Sequence, residues 1–177
     1  QAQVLILPAA VTAPAFLFTT GRVSPDKRGI QAIAAVAQLK ERGTGVKLLM
    51  RGGMEPFGGE VMAFAGQQRL RVAPLSTRVD DVAGLARLLK ENADADIWNL
   101  TAFLPAELLP AISTAATATL ANSGHEPCGL VGLEAMASGG VAFVGATGEE
   151  YAEAFTNAIV IETDDASEVV AYVNNLA

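Results

Sequence analysis

The sequence predicts a Rossmann-like α/β domain, in which helices cover both faces of a mainly parallel sheet (a three-layer α/β/α fold). Apolar runs of strand length alternate with amphipathic runs of helix length along the chain. Strands that alternate with helices pair in parallel through right-handed crossovers. Strands without polar alternation are typical of a sheet that is buried on both faces. The composition, 51% hydrophobic and 18% charged, is sufficient for a packed core.

Seven short runs rich in aliphatic residues or Phe are predicted as strands. They are residues 15–20, 46–50, 71–75, 96–100, 118–122, 141–145 and 158–161. Ligands of such sheets bind beyond the carboxyl ends of the strands. Functional side chains are therefore expected in the loops that follow strands, namely 21–28, 51–59, 101–104, 122–129 and 146–148.

Helical spacing and helix-boundary signals predict six helices between these strands and a seventh after the last one. Gly43 is suited to end the first helix, Asp80 is a candidate N-cap, and Pro105 fits the first turn of another helix. The predicted helices are residues 30–40, 60–70, 80–92, 105–116, 130–138, 149–155 and 165–175.

The first residues have no clear periodicity and include Pro8 and Pro14, so residues 1–14 are predicted to be an extended lead-in or linker. Residues 15–177 are predicted to form one domain. Because the sequence begins with Gln, we expect the chain to be part of a longer protein.

Composition and patterning exclude several functional classes. The net charge is −7, whereas a nucleic-acid-binding protein is expected to carry a dense basic stripe. The longest apolar run, residues 4–18, is interrupted by polar residues and prolines, is too short to cross a bilayer, and lacks the positive start of a signal peptide. The single cysteine permits neither an internal disulfide nor a Cys-based zinc site. We expect a cytoplasmic protein without a metal cofactor.

The charges are distributed unevenly along the chain. Residues 1–90 contain all 12 basic residues and only 6 acidic ones, whereas residues 91–177 contain 13 acidic residues and no Lys or Arg. Either acidic helices cover one side of the domain, or a basic pocket for a small anion lies in the N-terminal half.

The loop after the first predicted strand is a candidate phosphate site. It contains Arg22 and Lys27 and leads directly into a helix. A helix N-terminus offers free N–H groups and a partial positive charge, and two added cations favour a phosphate or a pyrophosphate. The alternative is a solvated loop with surface charges.

Two carboxylates eight positions apart form the second candidate site. Glu126 lies in the loop after a predicted strand, and Glu134 lies in the following apolar helix. A carboxylate in such a helix is costly unless it is paired or bound to a ligand. Gly129 allows close backbone approach at the helix start. The alternative is an acidic residue that stabilises the helix dipole together with one buried pair.

These segments resemble two motifs of the retaining glycosyltransferases with the GT-B fold. The run from Glu126-Pro127-Cys128-Gly129-Leu130 to Glu134-Ala135-Met136-Ala137-Ser138-Gly139 is similar to their E-x7-E motif. Thr20-Gly21-Arg22 with Lys27-Arg28-Gly29 is similar to their G-R-x4-K-G segment. The Glu-Pro-Cys-Gly-Leu run is especially similar to bacterial glycogen and starch synthases. The resemblance extends from about Phe16 to the C-terminus.

The resemblance implies a domain organisation and a class of substrate. GT-B enzymes have two Rossmann-like domains with the active site between them, and this chain is similar to the C-terminal, donor-binding domain alone. The donor would be a UDP-, ADP- or GDP-sugar, and the acceptor a saccharide or a small molecule. The N-terminal acceptor domain would be missing, so the chain alone is expected to be inactive.

The same resemblance implies a role for each matched residue. Arg22 and Lys27 would bind the pyrophosphate and stabilise the leaving nucleoside diphosphate in place of a metal ion. Glu126 would face the donor sugar, and Glu134 would accept hydrogen bonds from the ribose. Backbone N–H groups near Gly129 and Leu130 would contact phosphate or sugar, and backbone groups near residues 100–103 would contact the base. The other residues implied in the donor site are Gly21, Gly52, Gly53 and Cys128.

Two other functions remain open. The first is a non-catalytic nucleotide-sugar-binding or regulatory module. The second is a glycoside hydrolase that uses Glu126 and Glu134 as acid and nucleophile. The D-x-D spacing of Asp94 and Asp96 is not interpreted as a metal site, because it falls at the amino edge of the predicted sheet.

Overall fold

The computed structural model describes residues 4–7, 13–126, 128–147 and 150–177. Seven parallel strands form one sheet in the order β3-β4-β2-β1-β5-β6-β7. The strands are β1 (Ala15–Gly21), β2 (Val46–Gly52), β3 (Val72–Leu75), β4 (Ile97–Leu100), β5 (Ala118–Ala121), β6 (Ala142–Gly145) and β7 (Ile159–Ile161).

Six α-helices lie in the described residues, and they connect most of the strands. They are α1 (Gly29–Glu41), α2 (Phe57–Gln67), α3 (Val82–Glu91), α4 (Leu109–Ala115), α5 (Leu130–Ala137) and α6 (Ala166–Leu176). Short 3₁₀-helices at Pro25–Lys27 and Ala106–Leu108 precede α1 and α4. No helix in the described part of the chain is long and apolar enough to cross a membrane.

The sheet is covered on both faces, which confirms the predicted three-layer fold. In β1, Leu17 belongs to the buried cluster that includes residues of α1, α2 and α6. Phe16 and Phe18 belong to a second cluster with residues of α3 and α4 on the opposite face. Alternate side chains of the strand therefore enter different cores, and this explains why its apolar run is continuous.

Some predicted boundaries differ from the structure. The helix predicted at 149–155 is wrong for residues 150–155, which form turns and an isolated bridge between Ala154 and Ala158; residues 148–149 lie outside the described residues. Asp81, not Asp80, caps α3, because its carboxylate accepts a hydrogen bond from the N–H of Gly84 at 2.7 Å. The segment predicted as one helix at 105–116 is a 3₁₀-turn followed by α4.

The predicted lead-in lies partly outside the described residues, since 1–3 and 8–12 are not described. Within the described stretch 4–7, Leu5 is buried in the cluster with α3 and α4, while Val4 and Ile6 are exposed. The stretch 4–7 is therefore attached to the domain through one apolar side chain.

Candidate functional site

The candidate site lies where the strand order reverses, between the adjacent strands β1 and β5. From β1 the chain continues to one side of the sheet, and from β5 it continues to the other side. Ligands of open parallel sheets bind at such a reversal, beyond the carboxyl ends of the strands. The loop after β1 contains Arg22 and Lys27, and the loop after β5 contains Glu126, so the two predicted segments meet at this point.

The loop after β1 has a compact conformation that is fixed by its own backbone. Gly21 ends the strand with a φ of +130°, which favours glycine. The N–H of Lys27 donates to the carbonyl of Ser24 at 3.0 Å, and Arg28 takes the left-handed conformation with a φ of +54°. Arg22 is exposed and forms no hydrogen bond or ion pair with residues that the structure describes.

The loop after β5 leads into the N-terminus of α5. Gly129 is the residue that precedes the helix, and its φ of +58° is left-handed, so glycine suits this position. Glu126 is half-buried, and its carboxylate forms a salt bridge with the Lys27 ammonium group. The two predicted segments, 99 positions apart in sequence, are joined by this contact.

The environment of Glu126 keeps its carboxylate charged. The hydrogen bond from Lys27 lowers the pKa of Glu126 below its ordinary value of 4.5, although partial burial opposes the shift. The Lys27 charge and the N–H groups of Gly129 and Cys128 lower this pKa further. Glu126 is thus a carboxylate at neutral pH, suited to stabilising positive charge and poorly suited to donating a proton.

Three neighbouring cavities surround the end of β1. Their volumes are about 310, 220 and 420 Å³, and Thr20 lines all three. Lys27 borders the first two cavities, whereas Glu126 lines the second and Glu134 the third. An extended ligand over Thr20 can therefore contact both carboxylates at different places along its length.

Most of the predicted donor-binding residues line one or more of these three cavities. Gly21 and Arg22 line the first and second cavities, and Gly129 lines the second. Gly52 and Gly53 line the 310 Å³ cavity. A side chain at Gly52 would have its β-carbon 2.6 Å from Val23, so glycine there allows the loop after β1 to pack against β2.

Two predicted residues lie next to the cavities and do not line them. Leu130 is 57% exposed on the first turn of α5, and the Cys128 side chain is exposed. Glu134 is also exposed and forms no ion pair within the described ranges, so it is not the costly buried carboxylate that the apolar helix suggested. Pro127 lies outside the described residues.

Asp94 and Asp96, the D-x-D pair, lie at the amino edge of the sheet and form ion pairs with Arg71 and Lys40. Both carboxylate oxygens of Asp96 accept hydrogen bonds from Lys40 at 2.8 Å, and one also accepts from the N–H of Arg71 at 2.7 Å. Asp94 is exposed and lies 3.5 Å from the Arg71 guanidinium group. Asp96 thus fixes the start of β4 far from the candidate site.

The sequence did not reveal several residues that support the Glu126 loop. Thr147 donates a long hydrogen bond of 3.4 Å to the carbonyl of Glu126, and the Tyr151 hydroxyl donates to the carbonyl of Gly129. Gln31 and Asn122 form a buried pair below the loop. For Gln31, the sequence does contain a signal, namely a polar side chain within an otherwise apolar segment.

Comparison with known proteins identifies the class. A family profile described as "Glycosyl transferases group 1" matches residues 8–177, so the chain belongs to the group 1 glycosyltransferases. The fold agrees with this assignment, since a solved domain of a group 1 glycosyltransferase has a similar fold. Among curated proteins, no sequence matches the chain.

Three solved structures illustrate the similarity of fold. The trehalose-6-phosphate synthase of Burkholderia multivorans has a TM-score of 0.70 and 15% identity over 94% of this chain and 36% of its own. Anabaena HepE, solved in complex with UDP and glucose, has a TM-score of 0.62 and 21% identity over 93% of this chain and 39% of its own. The C-terminal domain of LpcC, a group 1 glycosyltransferase from Francisella tularensis, has a TM-score of 0.67 and 18% identity, covering 93% and 76%. The chain thus spans less than two-fifths of the synthase and of HepE.

Proposed function

We propose that this chain is the donor-binding half of a retaining glycosyltransferase that transfers a sugar from a UDP-, ADP- or GDP-sugar to a saccharide or small-molecule acceptor. The observation that carries the proposal is the contact between Lys27 and Glu126 at the reversal of the strand order. It brings a cation for phosphate and a carboxylate for sugar to one point of the sheet edge.

The pyrophosphate is assigned to Arg22 and Lys27. Arg22 is exposed beside two cavities, and Lys27 lines the same two. The N-terminus of α5 adds a partial positive charge in the same cleft. These groups can neutralise the charge of a departing nucleoside diphosphate, which is the role that a divalent cation has in metal-dependent enzymes. The reaction is therefore proposed to be metal-independent.

The donor sugar is assigned to the 220 Å³ cavity that Glu126 lines. Because Lys27 keeps the pKa of Glu126 low, the carboxylate is charged and can stabilise an oxocarbenium-like transition state. The ribose is assigned to Glu134, whose cavity adjoins the sugar cavity along Thr20 and Val131. The base is assigned to the backbone near residues 100–103, beside the cavity that Asn99 and Thr101 line.

A second half is needed to complete this site. The cleft is open at the carboxyl edge of the sheet, where Met54, Phe103, Leu130 and Leu133 are exposed. Exposed apolar patches mark interaction surfaces or ligand-binding grooves, and a neighbouring domain is one such partner. We propose that an acceptor-binding domain of the same protein covers the cleft, that residues 15–177 form the donor domain, and that the chain alone is inactive. The proposed compartment is the cytoplasm.

Of the alternative functions, the glycoside hydrolase is disfavoured by the family and by the geometry. The two carboxylates line different cavities, and Glu126 is paired with a lysine. Hydrolysis requires an acid and a base or nucleophile that face one glycosidic bond. The second alternative, a non-catalytic donor-binding module, is compatible with this geometry. Turnover by a protein that contains both proposed domains would distinguish the enzyme from such a module.

Thermal unfolding of the chain with UDP, ADP, GDP and their glucose conjugates tests the proposal. At about 100 times Kd, a ligand stabilises the folded state by about 2.7 kcal/mol. For a domain of this size, this corresponds to a Tm increase of about 5–10 °C. Arg22→Ala and Lys27→Ala should abolish the increase, whereas Arg87→Ala on the exposed surface of α3 should retain it. No Tm increase with any of these ligands would refute the proposal.

A further inference from the structure

We propose that Arg28, Gln31 and Asn122 are positioning residues that hold the Lys27 and Glu126 loops in register. They are polar side chains at the base of the two loops, and none of them belongs to the predicted donor site. The assignment deepens the proposed function, on which its relevance to donor binding rests.

Gln31 and Asn122 form the buried part of this network. Each is only 6% exposed. The Asn122 amide donates to the Gln31 side-chain oxygen at 2.5 Å, and the Gln31 amide donates to the carbonyl of Thr163 at 2.9 Å. A buried amide without a partner destabilises the folded state, so this chain of hydrogen bonds strongly favours one relative position of the elements it joins.

The two amides lie where they can set the position of the loops. Asn122 is the first residue after β5 and therefore begins the loop that contains Glu126. Gln31 lies in the first turn of α1, four positions after Lys27. A shift of either side chain would change the distance between the two loops.

Arg28 and a backbone hydrogen bond join the loops on either side of Lys27. The Arg28 guanidinium group donates to the carbonyl of Asn122 at 3.0 Å and lies 2.7 Å from the Asp164 carboxylate. The N–H of Gly124 donates to the carbonyl of Asp26 at 2.7 Å. The residues before and after Lys27 are thus both linked to residues 122–124, two to four positions before Glu126.

The network is the cause of the Lys27–Glu126 contact rather than its consequence. The side chains of Lys27 and Glu126 are 27% and 21% exposed, and a single ion pair in contact with solvent adds little stability, because water screens it and two long side chains must be ordered. Each hydrogen bond of the network adds to the stability of this arrangement, and more so where a charged group takes part. The salt bridge joins the two loops at one point between flexible side-chain ends, whereas the hydrogen bonds of Asn122 with Gln31 and Arg28 and of Gly124 with Asp26 join them at three further points.

The network also reaches the connection between β7 and α6. Thr163 and Asp164 belong to this connection, and the Glu168 carboxylate of α6 accepts hydrogen bonds from the N–H groups of Glu162 and Thr163 at 3.0 and 2.9 Å. The acceptor for Gln31 is therefore itself held in place. The position of the Lys27–Glu126 pair depends on elements that reach to the far edge of the sheet.

A carboxyl NMR titration of Glu126 in the ligand-free chain tests the network without any donor. We predict that Gln31→Met and the milder Arg28→Lys both raise the pKa of Glu126 toward 4.5, because Lys27 no longer lies beside it. In a Lys27→Met background, Gln31→Met should have no further effect on this pKa. Asp96→Asn, at the amino edge, is the control for simple loss of a buried polar contact and should leave the pKa unchanged.

Affinity for UDP, ADP and GDP is the second readout, and we expect the Kd of the nucleotide that binds to rise at least tenfold in both variants. An unchanged Glu126 pKa in folded Gln31→Met and Arg28→Lys would overturn the inference. If the pKa rises but the unmodified chain binds no nucleotide, the network stands and the proposed function fails. If the nucleotide binds but the pKa is unchanged, the proposed function stands and the network fails.

Discussion

Gly145→Ala should displace the Glu126 loop by direct contact. Gly145 is the last residue of β6, and a β-carbon there would lie 2.2 Å from the Ser123 carbonyl oxygen. Contacts below 3.0 Å essentially never occur, so the Ser123 carbonyl must move by at least about 0.8 Å. Overpacking of this kind costs about 1–3 kcal/mol, or a Tm decrease of about 2–12 °C.

The functional effect should exceed the effect on stability. Ser123 lies three positions before Glu126, and a displacement of about 1 Å in a catalytic group can reduce turnover by about 100-fold. Urea unfolding and nucleotide affinity would measure the two effects separately, and turnover would add a third readout in a protein that contains the proposed acceptor domain.

Gly140→Ala is the matched control for this prediction. Its β-carbon would lie 2.5 Å from the Ser113 carbonyl oxygen, but Gly140 precedes β6 and lies at the amino edge of the sheet. It should lower stability by a similar amount and leave nucleotide affinity at the wild-type value. The reasoning is refuted if Gly145→Ala is as stable as the wild type, or if both variants weaken nucleotide binding equally.

Three further predictions concern the carboxylates. The folded-state pKa of Glu126 is below 4.5, so the stability that its charge contributes is present above pH 4.5 and is lost as the pH falls through the folded-state pKa. Urea unfolding of the wild type and of Glu126→Gln at each pH measures this contribution. The difference in unfolding free energy should be constant above pH 4.5 and should shrink only below it. Glu126→Ala should spare nucleotide binding but eliminate turnover in a protein that contains the proposed acceptor domain, and normal turnover would contradict the role proposed for Glu126. Glu134→Ala should weaken nucleotide affinity at least tenfold in calorimetry with an unchanged Tm, since this exposed side chain has no ion pair in the described ranges; unaltered affinity would rule out the ribose assignment.

Local patterning was enough to predict the sheet. All seven strands were predicted to within about two residues, because each is a short apolar run, as in β1, where neighbouring side chains enter different cores. In the structure, β1 and β5 are neighbours, and this strand order brings the Lys27 loop and the Glu126 loop together at the carboxyl edge of the sheet. The pattern could not show that Glu126 is paired with Lys27, since this contact joins residues far apart in sequence.

The wrong helix at 149–155 has an identifiable cause in the described residues. Asn157 accepts a hydrogen bond from the N–H of Glu153 and donates to the carbonyl of Tyr151, both at 2.8 Å. Phe155 has a left-handed φ of +61°. A side chain thus satisfies the backbone groups that a helix would have used, and helical spacing does not reveal this competition. Local sequence patterns could likewise not reveal the hydrogen bond between Gln31 and Asn122, because these residues are 91 positions apart.

Calorimetric titration with UDP, ADP and GDP, with and without EDTA, tests most directly whether this sheet edge binds a nucleoside diphosphate. We predict that at least one nucleotide binds at one site per chain, that EDTA leaves its affinity unchanged, and that Lys27→Ala weakens it at least tenfold. Absence of binding by all three, or equal affinity in Lys27→Ala, would contradict the assignment of the cleft.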